Sequence, residues 1–270
     1  MGCNMCSISA ECACALLVSA ILMSAAFHDV RTRTIPDVHW FMISVITVPM
    51  CLFRLDGVVH TITGVVAVVL MSAYMLSDRL YGIVGGLTVS LSVALWVLLY
   101  LGGEPMWVLV TPAMYVLSLL FHHFGLLRGG ADAKAMMSVS MVSPFYPWIG
   151  MSVQPLSNPP LVILTVASFL SMLYVIPVLR RTIRSGRPSL SRYRMPLDEV
   201  PGRFVWPVED IVDGELRRVG PSDDADGVCG RLREAGYGDV EVTPMIPFVL
   251  PIAVAYILAM TVGTVTSAWM

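Results

Sequence analysis

The chain is 270 residues long, 56% hydrophobic and only 13% charged, with a mean hydropathy of +0.76. That composition lies well outside the soluble range and excludes an ordinary water-soluble domain. The net charge is −2, and the 17 basic residues form no stripe of the kind that binds nucleic acid.

A helix needs about 20 apolar residues to cross roughly 30 Å of hydrocarbon. Lipid cannot satisfy exposed backbone groups, so long apolar runs read as helices packed in a bundle. In chain order the runs fall near 9–28, 37–54, 57–77, 80–102, 106–125, 132–150, 159–179 and 245–266. Residues 1–10 carry no Lys or Arg, which favours a retained first helix over a secretory signal. The runs at 37–54 and 57–77 are joined by a short turn and read as a helical hairpin. The run at 132–150 holds Asp132, Lys134, several Ser and Pro144, and reads as a short or tilted helix facing the bundle interior. The expected fold is therefore an all-α polytopic membrane protein with about eight transmembrane helices, or six to eight if some runs fail to cross.

Between 180 and 244 the composition changes, with Arg, Asp, Glu, Gly and Pro replacing the apolar runs. Arg203-Phe-Val-Trp-Pro-Val and Gly238-Asp-Val-Glu-Val alternate like short strands, and 224–235 reads as a helix. The organisation expected is a bundle over 1–179, a small α+β cytoplasmic domain over 180–244, and a final transmembrane helix over 245–270.

Charge distribution orients the bundle. Sixteen of the 17 basic residues are Arg, and Lys134 is the single Lys. With the N-terminus outside, Arg31, Arg33, Arg79, Arg128, Lys134, Arg180, Arg181, Arg184 and Arg187 all fall in inner loops. Arg54 is the lone basic residue of an outer loop, so the positive-inside rule is met with one exception. In this orientation two acids, Asp29 and Asp132, lie at the cytoplasmic ends of their helices.

Those acids have the most chemical content in the chain. A single Asp at a helix end is often a cap or an interfacial charge, and Asp37, Asp56 and Asp78 fit that reading. Asp29 fits it in part, because Arg31 and Arg33 stand close by in sequence. Asp132 fits it least, since Gly129-Gly130-Ala131 leads the chain tightly into an apolar helix and leaves the carboxylate among small residues. Ionisable groups inside membrane segments point to function. Two carboxylates a few ångströms apart share one proton, and such a pair can activate water. Lys134 lies two residues beyond Asp132 and reads as an anchor that snorkels to the interface.

Three segments, in order, resemble the archaeal type IV prepilin and preflagellin (prearchaellin) peptidases. Asp29-Val-Arg-Thr-Arg-Thr-Ile-Pro-Asp37 resembles the first aspartate motif of that family. Gly129-Gly130-Ala131-Asp132 resembles the second, Gly-x-Gly-Asp, with Ala131 in place of its second Gly. Thr243-Pro-Met-Ile-Pro-Phe248 resembles the segment leading into the last helix. The resemblance implies a membrane aspartic endopeptidase with Asp29 and Asp132 as its catalytic pair, and with Gly129, Gly130, Ala131 and Lys134 supporting the second motif. It implies removal of a short basic leader from archaellin or pilin-like precursors at the cytoplasmic face of the cell membrane. The remaining partners expected are membrane lipids, with no nucleic acid. The chain departs from the family in its larger number of apolar runs. Glu209, Asp210, Asp213, Glu215, Asp223, Asp224 and Asp226 offer a surface for the basic leader, although a solvated loop is the plainer reading. A proton-coupled transporter is the alternative, but no repeated half-topology accompanies the acids.

Cofactors and metals are not expected. Cys3-x-x-Cys6 lacks the second pair that structural zinc takes, and an outer-face disulfide is the more open possibility. His122 and His123 diverge by about 100° on a helix. No glycine-rich phosphate loop follows a strand.

Overall fold

The computed structural model describes residues 5–77, 82–127, 129–143, 158–184, 192–222 and 224–268. Cys3, Asp78, Arg79, Arg128, Pro144 with the rest of 144–157, Arg187 and Asp223 lie outside the described residues, as does the side chain of Cys6. Among the described residues the apolar runs form α1 (Met5–Thr32), α2 (Val38–Arg54), α3 (Val58–Leu76), α4 (Ile83–Leu101), α5 (Trp107–His123), α6 (Gly130–Val142), α7 (Pro159–Met172), α8 (Val175–Arg184) and α10 (Val249–Ala268). Between α8 and α10 lie β1 (Tyr193–Pro196), β2 (Val205–Pro207), β3 (Glu209–Val212), β4 (Glu215–Arg218), α9 (Ala225–Glu234) and β5 (Asp239–Pro244).

Four helical stretches are long and apolar enough to cross a membrane: Glu11–Thr32, Val58–Leu76, Ile83–Leu101 and Pro159–Arg180. Together they make the chain a membrane protein. α2, α5 and the Val249–Thr261 part of α10 are apolar but shorter. α6 has 13 residues and ends where Ser143 leaves helical backbone, so its axis extends only about 20 Å, less than a hydrocarbon core.

The chain divides into two units, one of Met1–Ser168 with Pro247–Met270 and one of Phe169–Ile246. In the first unit α1 packs on α2 and α10, α2 on α3 and α6, and α5 on α4 and α6. α6 sits at the centre, buried on every face from Ala135 to Val142, as a helix without a polar side must be. Polar side chains tie neighbouring helices together at this depth. The Tyr115 hydroxyl donates to the Met71 carbonyl at 2.8 Å and the Ser92 hydroxyl to the Ala67 carbonyl at 2.9 Å. Each such bond gives a partner to a hydroxyl that lipid would leave unsatisfied.

Arg54, the exception to the charge rule, turns out not to be a loop charge. Its side chain is 7% exposed and its Nε lies 3.3 Å from Glu11 Oε1 on α1. Its Nη1 donates to the Val142 carbonyl at the end of α6, at 2.9 Å. The positive-inside rule counts charges that face water, and this one does not.

The second unit holds an antiparallel sheet in the order β1-β5-β2 and a β3-β4 hairpin. Asp213 and Gly214 both take positive φ, 55° and 80°, in the two-residue turn of that hairpin. Val228, Cys229 and Leu232 of α9 pack with Met195, Val205 and Val240 in a separate small core. Asp224 caps α9 by accepting from the Gly227 amide at 3.0 Å.

The acidic surface expected here is largely neutralised by arginine. Glu209 pairs with Arg194, Asp210 and Asp224 with Arg231, and Asp213 and Glu215 with Arg217. Arg231 holds Asp210 with two hydrogen bonds, at 2.9 and 2.7 Å. That bonding keeps the Asp210 carboxyl below the ordinary carboxylate range, against a smaller opposing effect of burial. A lowered folded-state value means the pair stabilises the unit above the ordinary Asp range and that this is lost as pH falls through the lowered value. Amides of α9 are therefore expected to lose hydrogen-exchange protection below about pH 4. Asp210→Asn should flatten that dependence.

Candidate active site

The α1 helix runs past its apolar stretch, through His28 and Asp29 to Thr32, so Asp29 lies inside its last turn. Asp29 is buried, 8% exposed. Its Oδ2 accepts from the backbone amide of Val249, the first residue of α10, at 3.3 Å. A carboxylate at a helix N-terminus satisfies an amide that has no partner in its own helix and sits at the positive end of the dipole. Phe248, which closes the third motif, thus leads directly into the turn of α10 that meets Asp29.

Arg33 ends α1. It takes φ 56°, a left-handed conformation that costs a residue with a Cβ roughly 1–2 kcal/mol. Its amide donates to the Asp29 carbonyl at 3.1 Å, and its Nη1 lies 3.9 Å from Asp29 Oδ1. Arg31 takes no part in this. Its guanidinium lies over the Phe27 ring, 4.3 Å from the centroid.

Asp132 occupies the first turn of α6 and is half-buried. The charges of Asp29 and Arg33 both act on it. The two sequence-predicted carboxylates sit on different helices, α1 and α6, with the charge of Asp29 acting on Asp132. The second motif can be read residue by residue. A Cβ at Gly129 would run into the Asp132 carboxylate, whereas one at Gly130 would meet nothing within 4 Å. Ala131 packs half-buried against the bundle core. A side chain at Gly129 would push the Asp132 carboxylate out of the position it now occupies.

Lys134 does not snorkel freely. Its Nζ lies 2.7 Å from Asp37 Oδ1, at the start of α2. Asp37 stands at the N-cap of α2 yet makes no capping bond, giving its carboxylate to Lys134 instead. α6 begins beside the first turn of α2, so the ammonium meets this carboxylate before reaching water. The pair joins the two aspartate motifs across the bundle. Lys134→Ala is expected to lower the thermal unfolding temperature slightly, and the exchange Asp37→Lys with Lys134→Asp to restore part of it; unfolding in detergent followed by circular dichroism measures both. As a half-exposed pair it should contribute at most about 1 kcal/mol to stability.

His39 stands behind α1. Its Nδ1 is 3.0 Å from the Pro36 carbonyl and its Nε2 3.1 Å from the Ser24 hydroxyl, which fixes the ring. The His28 ring meets it edge-on, with centroids 5.4 Å apart. Among the described residues no three of His, Cys, Asp and Glu gather as ligands for a metal ion.

Arg33, Asp37 and the Val249 amide are the site groups that the aspartate motifs alone do not single out. The signal for Arg33 and Asp37 lay in the same nine-residue segment as Asp29. Val249 offered none, because a backbone amide has no identity in the sequence. No protein-family model, no curated protein and no solved structure matches this chain.

Proposed function

We propose that the chain is a multi-pass membrane aspartic endopeptidase. It removes the short basic leader of archaellin or pilin-like precursors at the cytoplasmic face of the cell membrane. The observation that carries this reading is the placement of Asp132, at the start of a buried helix, where the charge of Asp29, at the end of a long apolar one, acts on it. The ordered resemblance of three motifs to archaeal prepilin and preflagellin peptidases supports it, as does the clustering of basic residues on the side where both aspartates lie.

Two neighbouring carboxylates hold one proton between them. Asp29, beside Arg33 and the Val249 amide, is the member equipped to carry the negative charge. It draws a proton from water, and the resulting hydroxide attacks the scissile carbonyl. Asp132 carries the proton and gives it to the carbonyl oxygen as negative charge develops there. As the tetrahedral intermediate collapses, Asp29 gives its proton to the departing nitrogen and Asp132 takes one from a gem-diol hydroxyl, so the C–N bond breaks, the amine leaves and the pair is reset. Neither step needs a cofactor. The scissile bond of such a precursor lies at the junction of a basic leader and an apolar helix, at the membrane depth where both aspartates sit in the orientation set by charge.

The test is cleavage of archaellin and pilin-like precursors by membranes carrying the chain, with mass spectrometry locating the cut. A single cut just before the apolar segment is the expected result. A folded protein that cuts none of several precursors overturns the proposal.

A further inference from the structure

We infer that Arg33 is a positioning residue of the Asp29/Asp132 site, its strained backbone serving to fold its guanidinium back onto Asp29; this rests on the peptidase reading. Two requirements meet at this residue and neither explains it alone. Ending a helix in the left-handed region is a task for Gly, or for Asn, which reach positive φ at little steric cost. Placing a cation near a helix C-terminus needs no left-handed residue at all. Arg33 does both, at φ 56°.

The geometry gives the combination a purpose. The left-handed turn lets the Arg33 amide close the last α1 turn on the Asp29 carbonyl while the side chain reverses along the helix. Nη1 reaches 3.9 Å from Asp29 Oδ1, and both Nε and Nη1 are buried. Burial matters because a screened surface cation acts weakly, whereas one removed from water acts over several ångströms. The same guanidinium acts on Asp132. It is thus a fixed positive charge set nearer Asp29 than a solvated arginine would be. Its charge favours the ionised form of Asp29 and biases the shared proton toward Asp132. Arg31 is excluded from this role because its guanidinium lies over Phe27.

Substitution separates the backbone task from the charge task. Arg33→Gly relieves the left-handed strain, so its thermal unfolding should occur at or above the wild-type temperature. Its kcat on a precursor should nonetheless fall by about 100-fold, the size of effect seen when one fixed polar group at a reacting centre is removed, with KM changed less than about threefold. Arg33→Lys should recover at least about tenfold of that loss. Arg33→Asn, which tolerates the same backbone, repeats the test if the Gly variant fails to fold. A Gly or Asn variant that folds and cleaves at the wild-type rate reduces Arg33 to a helix terminator and overturns the inference. So does a loss confined to KM, which would make the guanidinium a substrate contact. Wild-type protein that cuts no precursor in the same assay overturns the peptidase reading and takes this inference with it, so the two failures are told apart.

Discussion

Asp29→Asn and Asp132→Asn are each expected to lower precursor cleavage by about 1,000-fold or more while leaving the protein folded in the membrane. The amide is the size of the carboxyl, and at position 29 its carbonyl oxygen can still accept from the Val249 amide that Asp29 now engages at 3.3 Å. The lost quantity is the exchangeable proton. General acid and base contributions are each worth roughly 10² to 10⁴ in rate, and neither Asn side chain can take or give a proton at neutral pH. The two substitutions should not add, because in the proposed mechanism the two carboxyls act as one unit. Single-turnover cleavage of a labelled precursor, with helical content followed by circular dichroism, measures both effects. Full activity in either variant would remove that residue from the chemistry.

The second large effect is on stability and lies near the other ends of the helices. Arg54→Leu is expected to destabilise the bundle by about 3–5 kcal/mol, since it strips a buried carboxylate of its partner. Glu11, 10% exposed at its side chain, loses the guanidinium at 3.3 Å, and the Val142 carbonyl loses the donor that reaches it at 2.9 Å. Replacing both members, Glu11→Leu with Arg54→Leu, should recover most of the loss because neither charge of the pair is then left buried. Unfolding of the purified protein in detergent by graded denaturant measures the four corners of this cycle. About 27 Å of helix axis separates Glu11 from Asp29 on α1, so the residual activity of the folded fraction should stay near wild type. Equal destabilisation by the single and double variants would show that Arg54 acts through packing alone.

Much of the bundle was legible because its signal is local. Apolar runs predicted at 37–54, 57–77 and 106–125 became α2 (Val38–Arg54), α3 (Val58–Leu76) and α5 (Trp107–His123). The boundaries that shifted did so where polar residues continue a helix or backbone breaks an apolar run. The first run stopped at 28 by hydropathy, but α1 stopped at Thr32, where Arg33 leaves right-handed backbone. The last predicted run of the first block, 159–179, is interrupted at Leu173 and Tyr174, with α8 beginning at Val175. In the second unit the strands expected near Arg203 and Gly238 and the helix near Asp224 are present as β2, β5 and α9. β1, with four residues, carried no pattern of its own and exists through its pairing with β5, Tyr193 opposite Val242. The β3-β4 hairpin did carry a turn signal, the dipeptide Asp213-Gly214, which fits the positive φ of both turn residues.

The site divides along the same line. Asp29 and Asp132 stood out as acids at the ends of apolar runs. Their partners did not, because a side chain's partner is set by tertiary contact. The Lys134–Asp37 pair spans 97 residues of sequence and the Val249–Asp29 bond spans 220. No local rule connects residues at such separations.

That last separation sets an order of events in the making of the protein. Asp29 is synthesised early, while the amide that donates to its carboxylate belongs to the first turn of α10, 220 residues later. At roughly 5–20 residues per second, a ribosome takes about 10–45 s to cover that distance. During that interval α1 can insert and pack on α2, but Asp29 has no Val249 to bind. The nascent chain therefore carries its first aspartate through the membrane machinery in an unfinished setting. Completion of the site waits for α10.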